Sequence, residues 1–207
     1  MNVDLVSFSS SLELMKGLQT EAEYDEILKH MSFTFIIEGV SRVCSHQLIR
    51  HRVASYSQQS QRYVEVKNLA EHIVTPESIE EKSKDIFMEY ISMGARLYKT
   101  LVELGISKED ARFVLPNATE TNLILTMDGR ELFHFFGLRC CNRAQWEIKS
   151  LADFMLSKVR AVEPKLFNRA GPYCFQLGYC PEGRFSCGRM REVQEKYRTF
   201  SGRASKI

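Results

Sequence analysis

Arg50-His51-Arg52-Val53-Ala54-Ser55-Tyr56-Ser57-Gln58-Gln59-Ser60-Gln61-Arg62 gathers three arginines, a histidine and three serines in one stretch that carries no acid. Gln58, Gln59 and Gln61, with Gln47 just upstream, add neutral donors and acceptors. A guanidinium presents a planar fork of N–H groups that matches phosphate oxygens or the carbonyl edge of a ring, and unlike lysine it stays charged when desolvated. The stretch therefore reads as a site for a phosphorylated, planar anion. Arg112, Arg130, Arg139 and Arg143 come from later segments. Arg139 stands in Phe135-Phe136-Gly137-Leu138-Arg139-Cys140-Cys141, where a cation without a partner is costly. From the residues alone that partner is either an acid such as Glu147 or a ligand.

His51, between two arginines, should resist gaining a proton, because like charges disfavour the charged form. The neutral imidazole can then donate and accept. Ser60 has no histidine or acid at a readable spacing to activate it, so its hydroxyl is expected to contact a ligand rather than attack one. The chain holds neither G-x-x-x-x-G-K-[ST] nor G-x-G-x-x-G after a strand. Any nucleotide must be gripped by side chains.

Working outward, 207 residues with 44% hydrophobic content can bury one sizeable core, so residues 1–207 are expected to form one domain, with a tail rich in cysteine and glycine from about residue 165 to 207. The 28 basic and 26 acidic side chains nearly cancel, which argues against a nucleic-acid partner. No apolar run approaches the roughly 18 residues that span a bilayer, and Met1-Asn2-Val3-Asp4 lacks a signal-peptide pattern; the expectation is a soluble, cytoplasmic protein without a membrane partner. Cys44, Cys140, Cys141, Cys174, Cys180 and Cys187 read as reduced thiols. The spacing Cys174-x5-Cys180-x6-Cys187 does not match the two tight ligand pairs usual for zinc, and no metal is expected.

Local patterns outline the elements. A short helix is expected near Glu21–Leu28, and Phe33-Thr34-Phe35-Ile36-Ile37 reads as a strand ended by Gly39. Ser41 is a candidate N-cap for a helix through Val43, Cys44, Gln47 and Leu48, with an irregular loop from Ser55 onward. Thr75-Pro76-Glu77 starts a helix whose apolar spacing, from Ile79 to Val102, predicts one long amphipathic element ending near Gly105. Ser107-Lys108-Glu109-Asp110 opens a short helix. Thr119–Met127 reads as a strand, Asp128-Gly129-Arg130 as its break, and helices follow through Leu132–Phe136 and from about Asn142 to Val162, with Trp146 on the apolar side. The segment after Pro164 reads as loops and turns.

Arg50–Arg62 also matches R-H-R-x-x-S-x-x-x-x-S-x-R without a departure, and in this it resembles the flavin-dependent thymidylate synthases. Ala111-Arg112-Phe113-Val114-Leu115-Pro116, Leu138-Arg139 and Arg143-Ala144-Gln145-Trp146-Glu147-Ile148 resemble further family segments in the expected order. The resemblance covers about Met31 to Phe167. It implies an α+β fold, a mixed or antiparallel sheet packed with long helices, and a homotetramer whose active sites are shared between chains. It also implies reductive methylation of dUMP to dTMP, with methylenetetrahydrofolate as one-carbon donor and NADPH-reduced FAD as hydride source. By the same resemblance, Arg50, His51, Arg52, Gln58, Asp128, Gly129, Arg130 and His134 bind the flavin. Gln47, Leu48, Ile49, Arg50, Gln58, Gln59, Ser60, Gln61, Arg62, Arg112 and Arg139 bind dUMP, and Arg139 is the catalytic group at the uracil edge.

The sequence departs from the family pattern in several places: the segment before His30 is shorter than expected, and Gln58 stands where some members have glutamate. Tyr24-Asp25-Glu26-Ile27-Leu28-Lys29-His30 stands where members carry His-x-Ser-x-x-Glu-His, with only His30 retained, and Asp128 stands where many have asparagine. These departures bear on the flavin more than on dUMP, so the alternative is a member that binds nucleotide without flavin chemistry.

Overall fold

The computed structural model describes residues 1–11, 15 and 25–200. The strands are β1 (Asn2–Phe8), β2 (Ser32–Ser41), β3 (Ala54–Gln58) and β4 (Glu120–Asp128). The helices α1 (Arg42–Leu48), α2 (Glu77–Lys82), α3 (Lys84–Glu103) and α4 (Lys108–Ala111) precede β4. After β4 come α5 (Gly129–Arg139), α6 (Trp146–Val162), α7 (Pro164–Phe167), α8 (Tyr173–Gln176) and α9 (Met190–Arg198). The strands form one sheet in the order β1-β2-β4-β3. Thr34 hydrogen-bonds to Thr126 and Gly39 N–H to Asn122 Oδ1, so residue numbers rise along β2 as they fall along β4: the pair is antiparallel. This is the α+β class expected.

The described residues pack as two compact units. The first comprises Met1, Ile37–Gln47 and Ser57–Leu123. Its core includes Ile37, Val40, Leu69, Ile91, Tyr98 and Leu123. Ser41 caps α1 as expected, its Oγ accepting from Cys44 N at 3.0 Å, and Ser107 caps α4 through Asp110 N. The long helix expected from Ile79 onward is broken: Ser83, at φ −155° and ψ 30°, separates α2 from α3. Gly39 does not end β2. At φ +67° it kinks the strand, its N–H goes to a side chain, and pairing resumes to Ser41; positive φ is cheap only for glycine.

The second unit comprises Asn2–Ile36, Leu48–Tyr56 and Ile124–Ile207. The expected helix at Glu21–Leu28 lies partly outside the described residues; Asp25–Ile27 are helical and Leu28–His30 form a 3₁₀ turn. α6 is the central helix. Gln145 caps it by accepting from the N–H groups of Glu147 and Ile148, and Ile148, Leu151, Ala152, Met155, Leu156 and Val159 are buried on one stripe, the i, i+3, i+4, i+7 spacing of an amphipathic helix. Trp146, placed on that stripe from sequence, is exposed, because it precedes the first buried turn.

Two further readings change. Residues Ala54–Gln58 are a strand, not a loop; their polar side chains hide a backbone paired at the end of the sheet. The tail is not only turns: α9 buries Val193 and Tyr197. The Arg160 guanidinium, on α6, gathers it by donating to the carbonyls of Phe167, Asn168, Ala170, Tyr197 and Phe200 at 2.6–3.1 Å.

Candidate active site

In the second unit the turn after α1 presents Ile49, Arg50 and Arg52 to solvent and turns His51 inward. Tyr56 holds that turn, its hydroxyl donating to the carbonyls of Leu48 and His51 at 2.8 and 2.9 Å. α5 starts immediately at the end of β4 because Asp128 Oδ1 accepts from Glu131 N at 2.7 Å, an N-cap bond. The substitution of aspartate for asparagine at this position thus keeps a capping oxygen. Gly129 is buried against Leu28: a Cβ there would lie 2.9 Å from the Leu28 carbonyl oxygen, so a packing need accounts for the glycine.

His51 is 4% exposed and both its ring nitrogens are engaged. Arg139 Nε donates to His51 Nε2 at 3.0 Å, and His51 Nδ1 meets Glu131 Oε1 at 3.1 Å. Since Nε2 accepts, the proton sits on Nδ1 and is donated to Glu131. Burial first, then the charges of Arg139 and His134, push the imidazole down to about 4 from its ordinary 6.5. The neutral histidine anticipated from Arg50 and Arg52 is thus held neutral mainly by desolvation. Burial raises the Glu131 carboxyl, with His134 opposing and Asp128 adding to the rise. His134 continues the network through Nδ1 to the Tyr173 hydroxyl at 2.6 Å.

His51, Glu131 and His134 place ligand atoms within 4.8 Å of one another. With Nε2 accepting from Arg139 and Nδ1 donating to Glu131, the His51 ring has no lone pair left for a metal.

A cavity of about 470 Å³ opens beside this network, lined by Val53, Asp128, Arg130, Glu131, Phe133, His134, Tyr173 and Gln176. A second, of about 480 Å³, shares Arg130, Phe133 and Gln176 with it and adds Asp25, Glu26, Leu28, Lys29, Arg169 and Leu177. The Arg169 guanidinium lies 5.3 Å from the centre of the Phe133 ring. This lining suits a large dinucleotide. Val53 and Phe133 offer apolar surface and Arg130 offers a cation, the carboxylates of Asp128 and Glu131 are occupied with internal donors, and Lys29 and Arg169 are held in exposed ion pairs with Glu26 and Asp25, which a ligand phosphate can exchange into. Asp25–Lys29, part of the stretch expected from sequence to depart from the family pattern, lies here; Tyr24 is outside the described residues.

The first unit holds the remaining candidates. Gln58 Nε2 donates to Thr121 Oγ1 at 3.2 Å, Gln59 Oε1 accepts from Asn122 Nδ2 at 3.3 Å, and Ser60 Oγ accepts from Arg62 N at 3.2 Å. Gln61 Nε2 is buried without a hydrogen-bond partner, an unmet donor of the kind a ligand oxygen satisfies. Gln47 is half-buried on α1. Arg62 is paired with Glu109 at 2.7 Å, so tertiary structure supplies the acid that its own stretch lacks. Arg112 bonds the Glu109 carbonyl through Nε at 3.1 Å. Burial, and then Arg112, lower the Arg42 guanidinium below its ordinary value. Arg42, Glu131, Tyr173, Gln176, Lys29 and Arg169 were not singled out from sequence. Glu131 had a local signal, three residues after Asp128 and three before His134 on one helix; Tyr173, 39 residues beyond His134, had none.

Residues 9–165 match the family model described as thymidylate synthase complementing protein. A flavin-dependent thymidylate synthase of Geobacter sulfurreducens is 53% identical over 180 residues, covering 86% of this chain and 77% of that protein. The chain belongs to the flavin-dependent thymidylate synthase family. A Pyrococcus furiosus flavin-dependent thymidylate synthase is 50% identical over 171 residues, spanning 77% of this chain and 68% of its own length. The fold of this family member is also that of the Helicobacter pylori flavin-dependent thymidylate synthase crystallised with FAD and dUMP, at a TM-score of 0.67 and 21% identity over 83% of this chain and all of that one.

The His51 network gives this thymidylate synthase family member a pH signature. A depressed folded pKa leaves stability intact above the unfolded value and removes it as pH falls through the folded one. Between pH 6.5 and about 4, the protein is expected to lose on the order of 3 kcal/mol through His51. Urea unfolding of wild type and His51→Gln across that window measures the difference; parallel curves would assign the loss to other groups.

Proposed function

We propose that the chain methylates dUMP reductively to dTMP, with methylenetetrahydrofolate as one-carbon donor and with FAD, reduced by NADPH, as hydride source. The observation that carries the reading is Arg139 held by a neutral His51, whose other partner, Glu131, lines the open cleft. Making C5 of uracil nucleophilic requires electron density pushed through the ring, and a fixed guanidinium at the N3/O2 edge stabilises that developing charge. No thiol or hydroxyl nucleophile is then required. When bound, FAD supplies the hydride that completes the methyl group.

The chain's own residues position and polarise. In this reading Arg50, His51, Arg52, Gln58, Asp128, Gly129, Arg130 and His134 hold the flavin, and Lys29 and Arg169 offset the missing family residues by facing its diphosphate. Gln47, Leu48, Ile49, Arg50, Gln58, Gln59, Ser60, Gln61, Arg62 and Arg112 hold dUMP, with Arg139 against the base. Ligand binding would give Gln61 Nε2 its partner. Close relatives that bear the enzyme's name favour catalysis over the nucleotide-binding alternative. Anaerobic turnover of dUMP with methylenetetrahydrofolate, NADPH and added FAD should yield dTMP. Protein that binds dUMP but neither takes up FAD nor forms dTMP would decide for the alternative.

We also propose the homotetramer. Ile86, Tyr90, Met93 and Leu97 form an exposed apolar stripe along α3, opposite the buried Ile91 and Tyr98. A second copy of the chain is its cover. Light scattering should give the mass of four chains, and Tyr90→Glu with Met93→Glu should yield smaller species; a monomeric wild type would refute this.

A further inference from the structure

Four of the six cysteines face one cavity. Cys141, from the turn after α5, Cys174, on α8, and Cys180 and Cys187, from the segment before α9, line it together with Tyr173 and Met190. Cys44 and Cys140 are fully buried elsewhere. The segment supplying two of the four has no core of its own. From Leu177 to Arg189 every residue is exposed except Cys180 and Cys187, while Leu177, Tyr179 and Phe185 point apolar side chains into solvent. A loop that only half-buries two thiols gains too little from apolar contact to offset its ordering entropy, and small cysteine-bearing segments of this kind are ordinarily held by a metal or by disulfides. The six cysteines are free thiols.

The four sulfur-bearing side chains come from separate segments and line one cavity, and a set of thiolates gathered in one place needs a cation among them. Arg143 N–H donates to Cys141 Sγ at 3.5 Å, the backbone-to-sulfur bond that supports thiolate ligands. Their spread selects the occupant. A single zinc ion at about 2.3 Å from each sulfur would draw them to within about 3.8 Å of one another. Among the described residues, however, the group with three ligand atoms within 4.8 Å is His51, Glu131 and His134, not any three of these cysteines. A polynuclear cluster, in which each iron takes one thiolate, sets its ligands farther apart.

We propose that Cys141, Cys174, Cys180 and Cys187 hold an iron–sulfur cluster of the [4Fe–4S] type, one thiolate on each iron. Three of these ligands lie beyond residue 165, where the family-model match ends. Tyr173, which bonds His134 and lines both this cavity and the one beside His51, connects the cluster site to the network around Arg139. The site is independent of the flavin reading, since its ligands are not flavin candidates.

Protein purified anaerobically, or reconstituted with ferrous iron and sulfide, should carry about four irons and four acid-labile sulfides per chain, and dithionite should produce a paramagnetic signal distinct from that of a flavin radical. Cys180→Ser and Cys187→Ser should lose most of the iron, whereas Cys44→Ala should keep it. Zinc in place of iron, or no metal after reconstitution, would overturn the proposal, as would iron that persists in both serine variants. Should those variants fail to fold, the iron and sulfide content of the wild-type chain decides alone.

Discussion

Replacement of Arg139 by alanine is expected to reduce dTMP formation by about 10²–10³-fold, the usual cost of removing one preorganised group that stabilises developing transition-state charge. Reduction of bound flavin by NADPH should persist, because that half of the reaction needs no polarised uracil. The split follows from the geometry. Arg139 reaches His51 through Nε, which fixes the plane of the guanidinium, and its partner is an imidazole held neutral. Alanine removes the donor to His51 Nε2 together with the charge that helps to keep His51 unprotonated, so the His51 titration should also move upward toward its ordinary value. Arg139→Lys retains a charge but not the planar fork, and should recover only part of the rate. Stopped-flow reduction and dTMP assays on one preparation test this. Undiminished dTMP formation in the alanine variant, or equal loss of both half-reactions, would remove Arg139 from its assigned role.

The largest effect on stability is expected at Arg160. This guanidinium is 8% exposed and donates to five carbonyl oxygens, those of Phe167, Asn168, Ala170, Tyr197 and Phe200. Burial lowers its pKa, while Cys140, Tyr197 and Asp153 oppose the shift. Methionine would fill much of the stem volume but leave the carbonyls without donors in a site closed to water. Unsatisfied buried acceptors cost about 1–3 kcal/mol each where water cannot replace the donor, and partial relaxation of the tail should leave about 4 kcal/mol net for Arg160→Met. For a chain of this size that corresponds to roughly 8–16 °C in Tm. Arg160→Lys should rescue little, because an ammonium has three donors and no fork. A Tm within 2 °C or so of wild type for the methionine variant would mean that the tail is held by its apolar contacts alone.

The features legible in the sequence were those decided within a few residues. Ser41 and Ser107 announce their helices because an N-cap needs only a side-chain oxygen two or three residues before the N–H it accepts from. Phe33–Ile37 announces a strand because aromatic and β-branched side chains suit a pleated surface, and the stripe of α6 is visible because its period is that of a helix. Where the chain needs a distant partner, local reading fails. Ala54–Gln58 is polar and becomes a strand only by pairing with its neighbour in the sheet. The break at Ser83 interrupts an apolar period that continues on both sides.

The site divides in the same way. The residue types of Arg50–Arg62, and the order of the later arginines, were sufficient by themselves to place the chain in its family and to mark a site for a phosphorylated planar ligand. Only the tertiary structure decided that His51 sits between Arg139 and Glu131, that Arg62 finds Glu109, and that Lys29 and Arg169 border the cleft. It also brought Cys141 to the cavity shared by Cys174, Cys180 and Cys187. Charge and hydrogen-bonding capacity belong to a residue wherever it stands. Desolvation, tautomer and ligand grouping depend on neighbours within a few ångströms, and those neighbours come from distant segments: His51 and Arg139 are 88 residues apart, Asp25 and Arg169 144.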